Sequence, residues 1–142
     1  MTPEEAVVSR LTTASAVVAL VGTRVYPLRF PRTRQPGDLP AVVYQRISNR
    51  DPVTQDGRSG LERPRVQIDA YAATYSQAVS VAEAVKAALH GQQWLAGADY
   101  AAAFFDSDRD GPQDPDVKTQ AGASIERRSA DYFVWFRKAG NA

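Results

Sequence analysis

The sequence predicts an α+β fold in which an antiparallel sheet of about four strands carries two helices packed on one face. Apolar residues recur at three- and four-residue spacing in two segments, which is the period of a helix with one buried stripe. Other segments alternate apolar and polar residues, as half-buried strands do. The elements follow one another as helix, strands, helix, strands, an order that favours helices gathered on one side of a sheet. The chain of 142 residues has no internal repeat, so we expect one domain over residues 1–142.

The first helix is predicted over residues 3–20. Thr2 can accept a hydrogen bond from the third helical amide, Pro3 takes the first helical position, and Glu5 can reach back, as in a capping box. Gly22 is expected to end the helix. The stripe predicted to face the core consists of Val7, Val8, Leu11, Ala14, Val18 and Val21.

The second helix is predicted over about 75–90. Thr74 and Gln77 repeat the capping pattern at its start, and Gly91 follows its end. The apolar stripe consists of Ala78, Val81, Ala82, Val85, Ala88 and Leu89. A stripe of this width is typical of a helix that packs on a sheet.

Alternation predicts the strands. A short strand at 25–28 belongs at a sheet edge, because Pro27 cannot donate to a neighbouring strand. The clearest strand is 65–71, where Val66, Ile68 and Ala70 face one way. Further strands are predicted at 41–48, 100–105 and 123–137. Long polar connections, which are commonly functional, are predicted at 30–40, 49–63 and 106–120.

The composition excludes several classes of protein. The chain has no cysteine, which removes disulfides and thiolate metal sites and suits a reducing cytoplasm. Its longest apolar stretch, 14–22, is far shorter than the roughly 20 residues that span a bilayer. The acidic start of the chain lacks the basic region of a signal peptide. We therefore expect neither a membrane segment nor export by that route.

The charges are unevenly distributed although the formal net charge is only +1. Residues 24–65 contain nine arginines against four acidic residues, a balance of +5, whereas 99–116 contain six aspartates against one arginine, a balance of −5. Two opposite patches on one domain suit head-to-tail self-association. The residues predicted to lie at a subunit interface are Arg29, Arg32, Arg34, Arg50, Arg58, Arg63, Asp106, Asp108 and Asp110.

Little in the sequence indicates catalysis. The one histidine, His90, falls in the last turn of the second helix, where a capping or surface role fits its charge. No nucleophile elbow lies near it, and no Gly-Lys-Ser or Gly-Lys-Thr phosphate loop occurs. A hydrolase with a carboxylate pair from the acidic segment is a distant alternative, since exposed aspartates lack the apolar surroundings that shift a pKa. We predict a protein that is not an enzyme and uses no cofactor.

A calcium-dependent binding module is the main alternative from another class. Residues 106–111, Asp-Ser-Asp-Arg-Asp-Gly, match the first six positions of an EF-hand loop. The twelfth position is Val117 instead of a glutamate, so the EF-hand interpretation fails. A looser site from Asp106, Asp108, Asp110 and Asp114 stays open, against a solvated or subunit-facing acidic turn.

The arginines of the connections 30–40 and 49–63 also suggest contact with phosphate. They are mixed with acidic residues, few aromatic residues lie among them beyond Phe30 and Tyr44, and they match no nucleic-acid-binding module. Arginine is enriched at protein interfaces as well, and we favour that interpretation. Direct contact with nucleic acid is therefore not expected.

Three runs of the sequence carry a family resemblance. They are 39–48, which reads LPAVVYQRIS, 63–72, which contains Gln-Ile-Asp-Ala-Tyr, and 128–137, which contains Asp-Tyr-Phe-Val-Trp. Together with the helix over 3–20 and the segment 66–89, which leads through a Thr-Tyr turn to the second helix, these runs resemble the tail completion or tail terminator family of long-tailed phages, prophages and gene transfer agents. The resemblance covers nearly the whole chain, although each motif alone is one that an ordinary strand shows.

The resemblance implies a structural virion protein without catalytic residues. The resemblance implies that members of the family form rings of six subunits, which cap the tail tube and meet the head connector. The partners it implies are further copies of the chain, a tail tube protein and a head-tail connector protein, with assembly in the bacterial cytoplasm and a final place in the virion tail. A head-completion ring protein is the alternative within this class.

Overall fold

The computed structural model of the protein describes residues 2–28, 39–49, 53–54, 57–58, 61–111 and 125–139, and these form three helices and nine strands. The helices are α1 (Pro3–Thr13), α2 (Ser15–Val21) and α3 (Tyr75–Leu89). The strands are β1 (Val25–Pro27), β2 (Ala41–Ser48), β3 (Val53–Thr54), β4 (Gly57–Arg58), β5 (Leu61–Glu62), β6 (Arg65–Ala72), β7 (Gln92–Ala96), β8 (Asp99–Asp110) and β9 (Glu126–Arg137).

Seven of these strands form one mixed sheet. Its order is β1-β2-β6-β9-β8-β7, and β5 pairs with the end of β9. β1 runs parallel to β2, whereas the other pairs in this sheet are antiparallel. The α+β class is confirmed. The predicted antiparallel sheet of about four strands was too narrow and missed the parallel edge, and two helices were predicted where the described residues form three.

The first helix begins as predicted but is interrupted. Thr2 Oγ1 accepts a hydrogen bond from the amide of Glu5 at 3.2 Å, which satisfies one of the unpaired donors of the first turn. Ala14 then adopts an extended conformation, with φ −75° and ψ 116°, and separates α1 from α2. This break changes the helical phase, so that Val17 is buried and Val18 is 40% exposed. The single helix predicted over residues 3–20 was therefore wrong.

α3 matches its prediction closely. Thr74 Oγ1 accepts a hydrogen bond from the amide of Gln77 at 3.2 Å, and the helix ends at Leu89. His90 is the C-cap residue, which follows the helix in an extended conformation, instead of lying in its last turn. The buried side of the helix consists of Ala78, Val81, Val85, Ala88 and Leu89.

β5 and β6 are two parts of one continuous pairing with β9. Leu61 is opposite Arg137 and Arg65 is opposite Phe133, so the register stays the same across the gap between the two strands. The amide of Val134 donates to the carbonyl of Pro64 at 3.0 Å within this gap. Pro64 cannot donate in return, and this accounts for the interruption. The predicted connection 49–63 thus contains β5 as well as the short antiparallel pair of β3 and β4.

The hairpin of β7 and β8 departs most from prediction. β7 was not predicted, and β8 continues to Asp110 where a polar connection from residue 106 was expected. Gly91 and Gly97 have φ of 69° and 64°, which lets the chain turn at both ends of β7. The end of β8 stays in the sheet because it pairs with β9 as far as Asp110, opposite Arg128. Pairing therefore overrides the low strand propensity of aspartate.

The main core lies between the three helices and one face of the sheet. Its largest fully buried side chains include Leu11, Leu89 and Tyr132, and burial of each of the two leucines contributes about 1.5–3 kcal/mol. The prediction that the helices share one face is confirmed by this cluster, which joins α1, α2 and α3 to β2, β6, β8 and β9. We call the opposite side the helix-free face, because none of the described helices packs on it. A smaller cluster of Ala41, Val43, Tyr71 and Ile125 covers the β2 end of that face.

Candidate subunit interface

Asp106 lies at a bulge in β8, where the register with β9 shifts between Phe105 and Ser107. Its Oδ2 accepts a hydrogen bond from Nη2 of Arg65 at 2.8 Å. Arg65 belongs to the helix-free face, since it alternates with the core residue Val66 along β6. The bulge therefore directs Asp106 towards a cation of its own chain on that face.

Asp108 and Asp110 lie on the side of the sheet that bears the helices. The Arg128 guanidinium donates to Asp108 at 3.2 Å and to Asp110 at 3.1 Å. The hydroxyl of Tyr75, at the start of α3, donates to Asp110 at 2.9 Å. This hydrogen bond is the main reason that the pKa of Tyr75 is raised. We call Tyr75, Asp108 and Asp110 the acidic end of the subunit.

Burial distinguishes a second set of polar residues that sequence reasoning missed. Asp131 is 7% exposed and accepts hydrogen bonds from Arg65 at 2.9 Å and Arg109 at 3.4 Å. Asp69 is 5% exposed and accepts hydrogen bonds from the side chains of Gln67 and Ser129. The available signal was the polar side of the alternating strand 65–71, but this segment alone did not show that Asp69 and Asp131 are buried among partners on neighbouring strands.

The calcium alternative has no support in the described part of the chain. Within those residues no three acidic or histidine side chains converge on a position that would hold an ion. Asp106 is held by Arg65 on the helix-free face, whereas Asp108 and Asp110 are held by Arg128 on the other side. The fourth residue of the suggested site, Asp114, lies outside the described residues.

The structure describes only some of the predicted interface arginines. Arg29, Arg32, Arg34 and Arg50 lie outside the described residues, and Arg58 is described only as part of the backbone of β4. The guanidinium of Arg63 lies 5.2 Å from the ring centre of Phe133 and 5.3 Å from that of Trp135, on the helix-free face. These distances are within the range of cation–π attraction.

Two other arginines of the basic segment are held inside the chain. Arg24 donates to the carbonyl of Pro40 at 2.9 Å, and Arg46 pairs with Glu4. Part of the positive charge of residues 24–65 is therefore bound to groups within the fold.

An apolar groove of about 550 Å³ lies beside Arg63 on the helix-free face. We call it the aromatic groove; it is lined by Leu61, Tyr100, Ala102, Phe104, Trp135 and Arg137. Tyr100 is 38% exposed and Phe104 is 41% exposed. The alternation of Phe133 and Trp135 in the last strand was a sequence signal for one wall, but the other wall depends on how β8 and β5 pair with β9.

His90 has a structural role in this arrangement. Its Nδ1 accepts a hydrogen bond from the amide of Phe105 at 2.9 Å, and its ring meets the Phe105 ring edge-on. The ammonium group of Lys86 lies over the Phe105 ring, 4.1 Å from its centre. These contacts attach the end of α3 to β8.

Of the helices described, none is both long and apolar enough to cross a bilayer.

Comparison with known families identifies the chain. The family model described as "Tail completion protein gp17" matches residues 5–123, from the first turn of α1 to beyond β8. The chain belongs to this family. The tail completion protein is thus a structural phage tail protein and not an enzyme, as the resemblance of residues 39–48 and 63–72 predicted.

The fold of the tail completion protein also has a counterpart among solved structures. It is similar to a chain in the structure described as "Virion of native gene transfer agent (GTA) particle", with a TM-score of 0.68 and 18% sequence identity. The likeness covers 95% of this chain and 94% of that chain, and at this identity it concerns the fold alone. No curated protein matched the sequence.

Proposed function

We propose that this tail completion protein is a tail terminator, which forms a ring on the end of the tail tube and joins it to the head connector. The observation that carries the proposal is the family match over residues 5–123. The fold shared with a chain of a gene transfer agent particle supports it, because nearly all of both chains takes part in the likeness. The place of action would be the bacterial cytoplasm during assembly and the tail of the particle afterwards.

A ring requires two different surfaces on each subunit that fit one another. The chain offers surfaces of this kind, since the helix-free face carries the aromatic groove with Arg63 and Arg137, while the acidic end lies at the other end of β8. The predicted interface therefore stays part of the proposal for Arg63, Asp106, Asp108 and Asp110, although the three aspartates also have partners in their own chain. The other predicted interface residues are Arg29, Arg32, Arg34, Arg50 and Arg58, and the proposal is that they also contact neighbouring subunits.

The partners that the proposal names are further copies of the chain, a tail tube protein and a head-tail connector protein. A hexamer is the expected ring. Each subunit contact needs a larger binding free energy than an isolated surface ion pair provides, because exposed pairs contribute only about 0–1 kcal/mol. Apolar surface such as the aromatic groove would supply the remainder.

Deletion of the gene from a phage, prophage or gene transfer agent locus that encodes it tests the assignment. Electron microscopy should show heads and tails that fail to join, with tails of irregular length, and plasmid-borne protein should restore normal particles. Tails of normal length together with heads that lose their genome would identify a head-completion protein instead. Normal, joined particles in the deletion strain would contradict both assignments.

The ring is tested separately. Purified protein, or the protein within particles, is examined by electron microscopy with classification of end-on views. Closed rings with one fixed number of subunits are expected. If the protein is found only as a monomer, both at the ends of tail tubes and in solution, ring formation is contradicted. The family assignment is unaffected by that result.

A further inference from the structure

The aromatic groove is an exposed apolar surface in a part of the sheet that the helices leave uncovered. Besides Tyr100 and Phe104, the neighbouring Leu95 of β7 is 70% exposed and lies opposite Tyr100 in the register. Exposed aromatic residues gathered in a concave surface are typical of protein contact sites. Trp, Tyr and Arg are also the residues that most often dominate binding energy at such sites.

The cations of the groove define what it binds. Among the described residues, Arg63 and Arg137 have no carboxylate partner, whereas Arg65, Arg109 and Arg128 each pair with aspartate. Arg137 lines the groove, and Arg63 lies over Phe133 and Trp135 beside it. A guanidinium near apolar surface is costly to cover unless the incoming group supplies a carboxylate. The occupant must therefore combine an apolar or aromatic side chain with negative charge.

The acidic end of the same protein has this chemistry. Asp108 and Asp110 share one guanidinium, that of Arg128, which leaves an excess of negative charge. The side chain of Asp110 is 53% exposed, and Tyr75 beside it is 49% exposed, so an aromatic ring and a carboxylate are presented together. Their surface complements the aromatic groove in both polarity and charge.

We propose that the aromatic groove of one subunit receives the acidic end of a second copy. This proposal rests on the proposed ring, and it names the contact that closes it. The groove is formed by the beginning of β8 and the end of β9, whereas the acidic end lies where β8 ends and β9 begins. The two surfaces lie at opposite ends of the same strands and on opposite faces of the sheet, so the contact is head-to-tail and repeats from subunit to subunit.

A mixing experiment tests the head-to-tail character. One variant carries Phe104→Ser with Arg137→Glu in the groove, and the other carries Asp108→Lys with Asp110→Lys. Each should self-associate at least tenfold more weakly than the unmodified chain in sedimentation velocity. A mixture of the two should form heterodimers and nothing larger, because each variant keeps the surface that the other lacks. Glu5→Lys, which changes an exposed charge elsewhere, is the matched control and should associate normally.

Two results of this experiment would overturn the proposal. The first is normal association of either double variant. The second is a mixture that fails to form heterodimers although thermal unfolding shows both variants to be folded. Binding of a fluorescent single-stranded oligonucleotide that is lost only with the groove variant would assign the groove to nucleic acid instead.

Crosslinking within particles covers the case in which the purified chain stays monomeric. The chain has no cysteine, so Tyr100→Cys with Asp108→Cys introduces one thiol on each surface. These positions are eight residues apart in one strand, roughly 26 Å, which a short bis-maleimide cannot bridge within a subunit. A ladder of multimers from the double variant, with none beyond a dimer from either single variant, is expected. Particles that contain the double variant but yield no ladder would refute the contact and leave the tail role intact, whereas absence of the unmodified chain from particles would refute the tail role.

Discussion

Asp131 and Arg65 form an ion pair at 2.9 Å between β9 and β6, with the aspartate almost completely buried. The same guanidinium nitrogen also contacts Asp106 of β8 at 2.8 Å. One arginine thus connects three adjacent strands across the helix-free face. This contact shows that part of the opposite charge in the sequence is satisfied inside the fold, in addition to any pairing between subunits.

Asp131→Asn should lower the free energy of unfolding by roughly 1–3 kcal/mol, because it removes the negative partner of Arg65 and Arg109 at a buried position. Asp106→Asn is the matched control and should cost less than about 1 kcal/mol, since its side chain is more exposed. Urea unfolding at pH 7 measures both values. Equal costs for the two variants would show that burial of Asp131 does not determine its contribution.

The pair of Glu4 and Arg46 predicts a dependence on pH. Burial acts to raise the pKa of Glu4, but the hydrogen bond and charge of Arg46, together with hydrogen bonds at the start of α1, outweigh it and hold the pKa below the ordinary value of 4.5. A depressed pKa stabilises the fold above the unfolded value, and this contribution is lost as the pH falls through the folded value. Glu4→Gln should therefore lower the Tm at pH 7 and leave it close to that of the unmodified protein at pH 3.

Thermal unfolding followed by circular dichroism at both pH values measures this difference. Glu5→Gln serves as the control, because Glu5 is exposed and forms no such pair among the residues described. A Tm difference for Glu4→Gln that stays constant from pH 7 to pH 3 would contradict the ion-pair interpretation.

Elements with strong local signals could be predicted from the sequence. The strand predicted at 41–48 has the bounds of β2, and the capping residue Thr74 located the start of α3. In these segments the period of apolar residues and the capping residues act within a few neighbours along the chain. The same holds for β1, since Pro27 restricts the strand to an edge.

Elements that depend on distant partners could not be predicted in the same way. The end of β8 is polar and stays in the sheet because Arg128 and Arg65 of other strands neutralise its aspartates. The acidic residues were predicted at an interface as one patch, but the bulge at Asp106 divides them between two faces of the sheet. The aromatic groove likewise combines β5, β8 and β9, and no single segment carries its pattern.

The cap of α3 should make a measurable contribution to stability, because this helix packs on the main core. Thr74→Ala removes the acceptor for the Gln77 amide and should cost about 1 kcal/mol. Thr74→Ser keeps a hydroxyl at the same position and should cost much less. Denaturant unfolding distinguishes the two, and an equal loss for both variants would assign the effect to the methyl group of threonine instead of the hydrogen bond.

Tyr132→Phe should leave the protein equally stable or stabilise it by up to about 1 kcal/mol. Tyr132 is fully buried, and its hydroxyl has no hydrogen-bond partner among the described residues. Removal of a buried hydroxyl in this situation relieves a desolvation cost while keeping the ring that packs edge-on against Phe105. Burial also raises the pKa of Tyr132, so its hydroxyl should stay protonated in the folded protein during an alkaline titration. Ultraviolet difference spectra of Tyr132→Phe and the unmodified chain should therefore coincide until the protein unfolds. A loss of more than about 1 kcal/mol in Tyr132→Phe would indicate that the hydroxyl has a stabilising partner, such as a buried water.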